Sequence, residues 1–105
     1  MVLAELSQQN DFKLRPALLL AIVPPFDDWL LCGISTRLDI EVVGFDEIIA
    51  PSDEDFGQSG LKRTSLIRLG FLATTSRSGI KGILGSVSSE RHERLLRRLS
   101  EFLLP

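Results

Sequence analysis

The chain is poor in the residues that build the commonest catalytic and metal sites: its 105 residues include one cysteine, one histidine and no tyrosine. The single cysteine, Cys32, excludes a disulfide framework and favours a reducing cytoplasmic compartment. One cysteine and one histidine cannot build a zinc site, and the sequence has no glycine loop of the P-loop kind that cradles phosphates. We therefore expect neither a metal nor another cofactor. The absence of tyrosine counts against an aromatic platform for nucleic acid.

Long hydrophobic runs are also absent. No segment approaches the roughly 20 apolar residues that cross a bilayer, and residues 1–5 contain an acid and no basic stretch, unlike a signal peptide. We expect a cytoplasmic protein that does not contact a membrane. A hydrophobic content of 44% and a charged content of 25% are ordinary for a folded protein, and the length fits one domain over residues 1–105.

The charged residues are unevenly distributed, although the net charge is only −2. Residues 27–55 carry nine acids and one base, Arg37, whereas residues 61–98 carry nine bases and two acids. Such a division is typical of a face that binds a polyanion. It is equally typical of two halves that neutralise each other in the fold, and the sequence leaves both interpretations open.

Apolar runs separated by turn residues predict six or so short strands. Polar or proline-rich connections are predicted at 7–11, 24–28 and 76–79. A long acidic loop is predicted at 47–60, and loops of that length in small domains are usually functional or mobile. The predicted strands cover residues 2–6, 16–23, 29–36, 40–44, 65–69, 71–75 and 80–84.

The C-terminal segment is predicted as a helix with Ser88 as its N-cap and Glu90 in its first turn. The arginines of this helix, and His92, are predicted mostly to face solvent, with binding of RNA or an acidic partner as the alternative. With the strands, the helix predicts a mainly β fold, a small, strongly curved β-barrel with a helix packed on it. The apolar residues of the helix form one stripe: Leu95, Leu96, Leu99, Phe102 and Leu103.

The run from Arg15 to Ala21 is the most informative segment. Pro16 opens the apolar part of this run, and a proline is tolerated at the first residue of a strand because its missing N–H leaves no ladder bond unmade there. The residue before a proline is pushed toward extended geometry. Arg15 is therefore expected at the entrance of a buried strand, where its guanidinium is placed to bind an anion. The alternative is an arginine whose stem packs on apolar surface while its head stays in water.

Four segments form an ordered pattern over nearly the whole chain. They are residues 13–20 (KLRPALLL), residues 32–36 (CGIST), residues 59–68 (SGLKRTSLIR), and residues 85–88 (GSVS) followed by the helix. This ordered set resembles the MazF/PemK family of toxin–antitoxin ribonucleases, with its Arg-Pro-Ala strand, its strand ending in an Ile-Thr or Ile-Ser step, its Gly-Leu segment and its C-terminal element.

The resemblance implies an SH3-like β-barrel that forms a homodimer, cleaves single-stranded RNA without a metal ion and is neutralised by an antitoxin protein. The family's catalytic arginine, which precedes the proline, falls on Arg15. Its catalytic threonine falls on Ser35, which keeps the hydroxyl. Its acidic residue in the loop before the arginine falls near Asp11.

These residue types suit RNA cleavage in which the neighbouring 2′-hydroxyl attacks phosphorus. A guanidinium presents a rigid fork of donors to phosphate oxygens, so Arg15 is suited to stabilise the charge of the transition state. Ser35 is suited to hydrogen-bond a phosphate oxygen or the 2′-hydroxyl, and Asp11 is the nearest candidate base. We expect Arg15 and Ser35 to face one groove. Three further residues are predicted to bind substrate: Lys13, Thr36 and Arg37.

Two alternative functions remain open. A non-catalytic relative would bind a protein target, as the structurally related gyrase-poisoning toxins do, and would not need Arg15 and Ser35 in one cleft. A barrel that has lost cleavage would bind RNA only. Cys32 and Trp29 lie in an apolar strand and are predicted to belong to the core.

Overall fold

Six β-strands and two α-helices make up the protein in a computed structural model, which describes residues 1–8 and 11–104, with the backbone alone at residues 7, 8, 11 and 12. The helices are the four-residue α1 (Phe56–Ser59) and the C-terminal α2 (Ser89–Leu103). The strands are β1 (Val2–Gln8), β2 (Asp11–Val23), β3 (Asp28–Ser35), β4 (Glu47–Ile49), β5 (Ser65–Thr75) and β6 (Ile80–Ile83).

The strands form one antiparallel sheet in the order β4-β5-β3-β2-β1-β6. The predicted mainly β class with a C-terminal helix is confirmed. β4 and β6 are the end strands, and no ladder joins them within the described residues. The segments beyond these two strands nevertheless meet, because the Ser86 N–H donates to the Gln58 carbonyl at 2.8 Å.

The β1–β2 hairpin is longer than the sequence predicts. β1 continues to Gln8 and β2 begins at Asp11, so the predicted 7–11 loop is largely strand, with residues 9 and 10 outside the described part. Pro16 therefore lies within β2 rather than at its start. The ladder to β3 begins only at Ala17, so β2 has a free side at Pro16, where a residue without an N–H is tolerated.

The predicted strand at 40–44 is wrong. Leu38–Ile40 forms a 3₁₀ turn, and the chain turns again because the Asp46 carboxylate accepts the Val42 N–H at 2.9 Å and Gly44 has a left-handed φ of 84°. The strand comes later, as β4, within the segment predicted as a loop at 47–60, and α1 follows in the same segment.

β5 is a single strand where the sequence predicts two. Cys32 of β3 pairs with Leu72, and the next residue, Gly33, pairs with Arg68. Residues 69–71 of β5 therefore have no partner on β3 and form a bulge around Gly70. A bulge bends its strand and changes the direction of the side chains in it.

Two apolar clusters cover the two faces of the sheet, because alternate residues of β2 and β3 point to opposite sides. The larger cluster lies between the sheet and α2 and includes Cys32, which is 1% exposed, as predicted. Trp29 is partly buried against the smaller cluster. The buried residues of the smaller cluster are Val2, Ala4, Leu6, Ala17 and Leu31.

Helix α2 begins as predicted, since the Ser88 hydroxyl accepts the Arg91 N–H at 3.1 Å. Its apolar stripe is shorter than predicted, because Phe102 and Leu103 are 66% and 63% exposed. His92 is not a solvated residue: it is half-buried, with Nε2 3.0 Å from the Leu19 carbonyl oxygen. Neither described helix is long and apolar enough to cross a membrane.

Buried ion pairs fix α2 to the segment around β4. Arg91 is 6% exposed and donates to Glu47 and to Asp55, each at 2.8 Å. Arg94 and Arg98 contact the same Glu47 carboxylate at 2.6 and 2.9 Å. The prediction that the helix arginines mostly face solvent is therefore wrong for Arg91 and in part for Arg98, whereas Arg94 stays 46% exposed while it pairs with Glu47. Part of the acidic segment is neutralised by the basic helix.

Candidate functional site

A cleft of about 710 Å³ opens between β2, the end of β3, β5 and the segments that follow β3 and α1. Its charged lining is entirely basic, with no carboxylate among the described residues. We call it the cationic cleft. The basic residues that line it are Arg15, Arg37, Lys62, Arg63 and Arg68.

Most of these bases have no carboxylate partner. Arg37 pairs with Asp39 at 2.8 Å on the surface, whereas the other four form no ion pair within the part of the chain that the structure describes. The arginines of α2, by contrast, are neutralised by acids. Positive charge without a counter-charge is therefore concentrated in the cationic cleft, where it is available to an anionic ligand.

The sheet register brings Arg15 and Ser35 to the same cleft. β2 and β3 are antiparallel with Ala17 opposite Gly33. Moving two residues along each strand, in opposite directions, leads to Arg15 and to Ser35, which is the last residue of β3. Both residues line the cationic cleft, and this is the arrangement that the sequence predicts for them.

Arg15 carries a donor without a partner. The side chain is half-buried, and its Nε is shielded from solvent and has no hydrogen-bond partner among the described residues. A buried polar group without a partner costs about 1–3 kcal/mol, and more when it is charged. An anion in the cleft would supply the missing acceptor, and the planar guanidinium fork matches the oxygens of a phosphate.

Ser35, Thr36 and Arg37 form one wall of the cleft. The Ser35 hydroxyl oxygen accepts the backbone N–H of Arg37 at 3.0 Å, which fixes its position at the end of β3. Its own proton remains free to be donated to a ligand. The hydrogen bond to Asp39 raises the pKa of Arg37.

Two predicted site residues are not placed in the cleft. The side chain of Asp11 lies outside the described residues, so the candidate base has no described position. Lys13 is exposed on β2 and does not line the cleft. The described lining contains neither a carboxylate nor an imidazole that would accept a proton. Within the same described residues, no group of three or more His, Cys, Asp or Glu is arranged to hold a metal ion.

The sequence gives no site role to several residues that line the cleft. Lys62 and Arg63 are held there by the turn at Gly60, whose φ is 77° and where a Cβ would clash with the Leu84 carbonyl. The basic bias of residues 61–98 is the one signal that pointed to them. Phe71 belongs to the bulge of β5 and lines the cleft, and Gly70 is the one mark of this bulge in the sequence.

Comparison with known proteins gives no family for this chain. No protein-family model matches it, and no curated protein matches it. The side chains of the cleft and their surroundings therefore carry the inference of function.

Proposed function

We propose that the protein is an endoribonuclease toxin of the MazF/PemK type, which cleaves single-stranded RNA by attack of the 2′-hydroxyl on phosphorus and uses no metal ion. The observation that supports this most directly is the cationic cleft, where Arg15 and Ser35 lie together and no described carboxylate lines the wall. A site of this charge favours a polyanion, and the Arg15 Nε without a partner favours an anion at one defined point.

The distribution of the bases favours a chain of phosphates over a single small anion. Arg15 belongs to β2, Arg68 to β5, and Arg37 and Lys62 to two separate connecting segments. Contacts to successive phosphates supply affinity that does not depend on sequence and that falls as salt rises. The cationic cleft therefore suits an extended nucleic-acid strand.

The proposed reaction forms a bond between the 2′-oxygen and phosphorus and breaks the bond between phosphorus and the 5′-oxygen. Arg15 donates to the non-bridging oxygens as negative charge develops on them. The Ser35 hydroxyl donates a hydrogen bond to a phosphate oxygen or accepts a hydrogen bond from the 2′-hydroxyl. Asp11 is proposed as the base that removes the proton of the 2′-hydroxyl, because it lies shortly before Arg15 in the chain. The departing 5′-oxygen takes a proton from solvent water, and the products are a 2′,3′-cyclic phosphate and a 5′-hydroxyl.

We also propose a fold family, a homodimer and an antitoxin partner for the protein. An SH3-like barrel is supported by the contact between the segments beyond β4 and β6. A symmetric homodimer is supported by exposed apolar residues at the end of α2, since an interface would bury them: Phe102, Leu103 and Leu104. The antitoxin is proposed as a protein with an acidic segment, because the cationic cleft suits one.

The test is incubation of the purified protein with defined single-stranded RNA in excess EDTA. We expect cleavage to continue, with products that carry a 2′,3′-cyclic phosphate and a 5′-hydroxyl. A single 2′-deoxyribose at the cut position should abolish that cut, because the nucleophile is removed. Products with a 3′-hydroxyl, or cleavage that EDTA abolishes, would contradict the proposed chemistry.

A second candidate is binding of RNA without cleavage. It is favoured by one observation, that the described lining of the cleft contains no group suited to accept the proton of the 2′-hydroxyl. Salt-dependent RNA binding with no products after long incubation would select it. The third candidate, a toxin that binds a protein target, does not require the cleft that Arg15 and Ser35 share.

A further inference from the structure

The lining of the cationic cleft includes an aromatic side chain that the proposed cleavage chemistry does not use. Phe71 is half-buried and lines the cleft together with Arg68, whose guanidinium carbon lies 5.8 Å from the centroid of the Phe71 ring. No ion pair within the described residues holds Arg68. The pair therefore presents a ring and a planar cation to the interior of the cleft.

The bulge of β5 is what brings these two side chains to one side. Residues three apart in a regular strand point to opposite faces of the sheet, so Arg68 and Phe71 would be separated in an undistorted β5. Because residues 69–71 have no partner on β3, the alternation is broken between them. Bulges are common beside functional sites for this reason, since they redirect a side chain.

Gly33 of β3 allows the Phe71 ring to approach the backbone closely. A Cβ at this position would lie 3.0 Å from the Phe71 Cγ and Cδ1 atoms. A larger residue would therefore push the ring out of its position. Glycine inside a strand often marks such a close approach, and here the approach is made by an aromatic ring at the wall of the cleft.

We propose that Phe71 and Arg68 form a subsite for a nucleobase of the RNA whose phosphate Arg15 binds. The inference rests on the proposed function. Single-stranded RNA is bound by stacking its bases on aromatic rings and on guanidinium planes. Leu3, Leu6 and Leu84 are among the apolar side chains that line the same cleft, and they offer apolar surface to a base.

An acidic peptide fits these observations less well. It would satisfy the bases of the cleft, but it has no flat π surface to match the ring and the guanidinium. A nucleotide unit combines one anion with one flat ring, which is the combination that Arg15, Arg68 and Phe71 present along the cleft. Stacking of this kind tolerates different bases. We therefore expect the subsite to distinguish a nucleotide with a base from one without a base more strongly than it distinguishes one base from another.

The experiment compares binding of fluorescent octanucleotides that differ only in their bases. The probes are octamers of U, of A and of C with 2′-fluoro sugars, which lack the nucleophile, and an octamer of the same backbone without bases. We expect the parent protein to bind at least one base-bearing octamer about 10- to 100-fold more tightly than the abasic octamer, the range that corresponds to one or two stacked bases.

The variant Phe71→Leu keeps the apolar volume and removes the π face. We expect it to bind base-bearing octamers within about twofold of the abasic octamer, with parental affinity for the abasic octamer and a parental salt slope. Phe26→Leu is the matched control, because Phe26 is 82% exposed in the β2–β3 turn and does not line the cleft. Arg68→Lys keeps the charge and should also lose most of the base preference.

The outcomes separate this inference from the proposed function. Parental base preference in both Phe71→Leu and Arg68→Lys would overturn the subsite. Equal binding of base-bearing and abasic octamers by the parent protein would also overturn it. If that equal binding weakened as salt rises, RNA would remain the proposed ligand of the cleft. Absence of binding to either octamer at low salt would overturn the proposed function and the subsite together.

Discussion

At the scale of single residues, Asp55 is the carboxylate most strongly held in its charged form among those that the structure describes. It accepts from the Arg91 guanidinium at 2.8 and 3.1 Å and from the Ser88 N–H at 2.9 Å. The hydrogen bonds from Arg91 are the main cause that lowers the pKa of Asp55 to about 2, from an ordinary value of 3.8. Folding therefore favours the ionised carboxylate.

This lowered pKa predicts how stability depends on pH. Asp55 contributes stability that is fully present above the pKa of the unfolded chain and is lost as the pH falls from about 4 toward about 2. In Asp55→Asn the side chain at position 55 does not titrate. We expect the difference in unfolding free energy between the parent and this variant to shrink across that range, measured by urea unfolding at pH 7, 4, 3 and 2.5. A difference that stays constant down to pH 2.5 would contradict the assignment.

The residues that line the cleft differ in how far the sequence could place them there. The local signal at Arg15, a cation immediately before a proline that opens an apolar run, left open whether the side chain binds an anion or only packs on apolar surface, and the resemblance favoured the first. Ser35 was predictable only through the ordered resemblance, since a serine at a strand end has many other uses. Phe71 was not predictable, because it reaches the cleft through a change of register on β5 that depends on its pairing with β3.

At the scale of elements, α2 itself was predicted most accurately, whereas the surroundings of its arginines were predicted least accurately. The N-cap at Ser88 and the apolar spacing are local signals, and the helix begins where they indicate. The burial of Arg91 is a long-range property, because its partners Glu47 and Asp55 lie 44 and 36 residues away in the chain. The segment around β4, which was predicted as an acidic loop, takes part in the same long-range pairing and is structured.

The buried ion pairs predict that α2 depends on Arg91. Arg91→Ala leaves the carboxylates of Glu47 and Asp55 buried with fewer partners, and removal of one member of a buried pair typically costs about 3–5 kcal/mol. Arg97→Ala is the control, because its pair with Glu93 is exposed and such pairs contribute less than about 1 kcal/mol. Urea unfolding of both variants measures the difference. Equal stabilities would contradict the structural role given to Arg91.

At the scale of the whole molecule, the uneven charge along the chain has two separate explanations in the fold. The arginines of α2 meet the acids around β4 and fix the helix to the sheet. The bases of the cationic cleft, apart from Arg37, meet no described acid. The sequence could not separate these two groups, because Lys62, Arg63 and Arg68 of the cleft share the basic stretch at 61–98 with the arginines of the helix. Only the tertiary structure assigns each base to its surroundings.

We propose that the cationic cleft cleaves RNA with Arg15 at the reacting phosphate. The most direct measurement is the single-turnover cleavage rate of one RNA in EDTA by the parent, Arg15→Ala, Arg15→Lys and Arg77→Ala. Arg77 is exposed and lies outside the cleft, so it is the control for loss of one positive charge. We predict that Arg15→Ala loses a factor on the order of 10²–10³, typical for one preorganised donor. Arg15→Lys should recover little of the rate, and Arg77→Ala should cleave at the parental rate. Cleavage by Arg15→Ala at the parental rate would show that Arg15 does not act at the reacting phosphate.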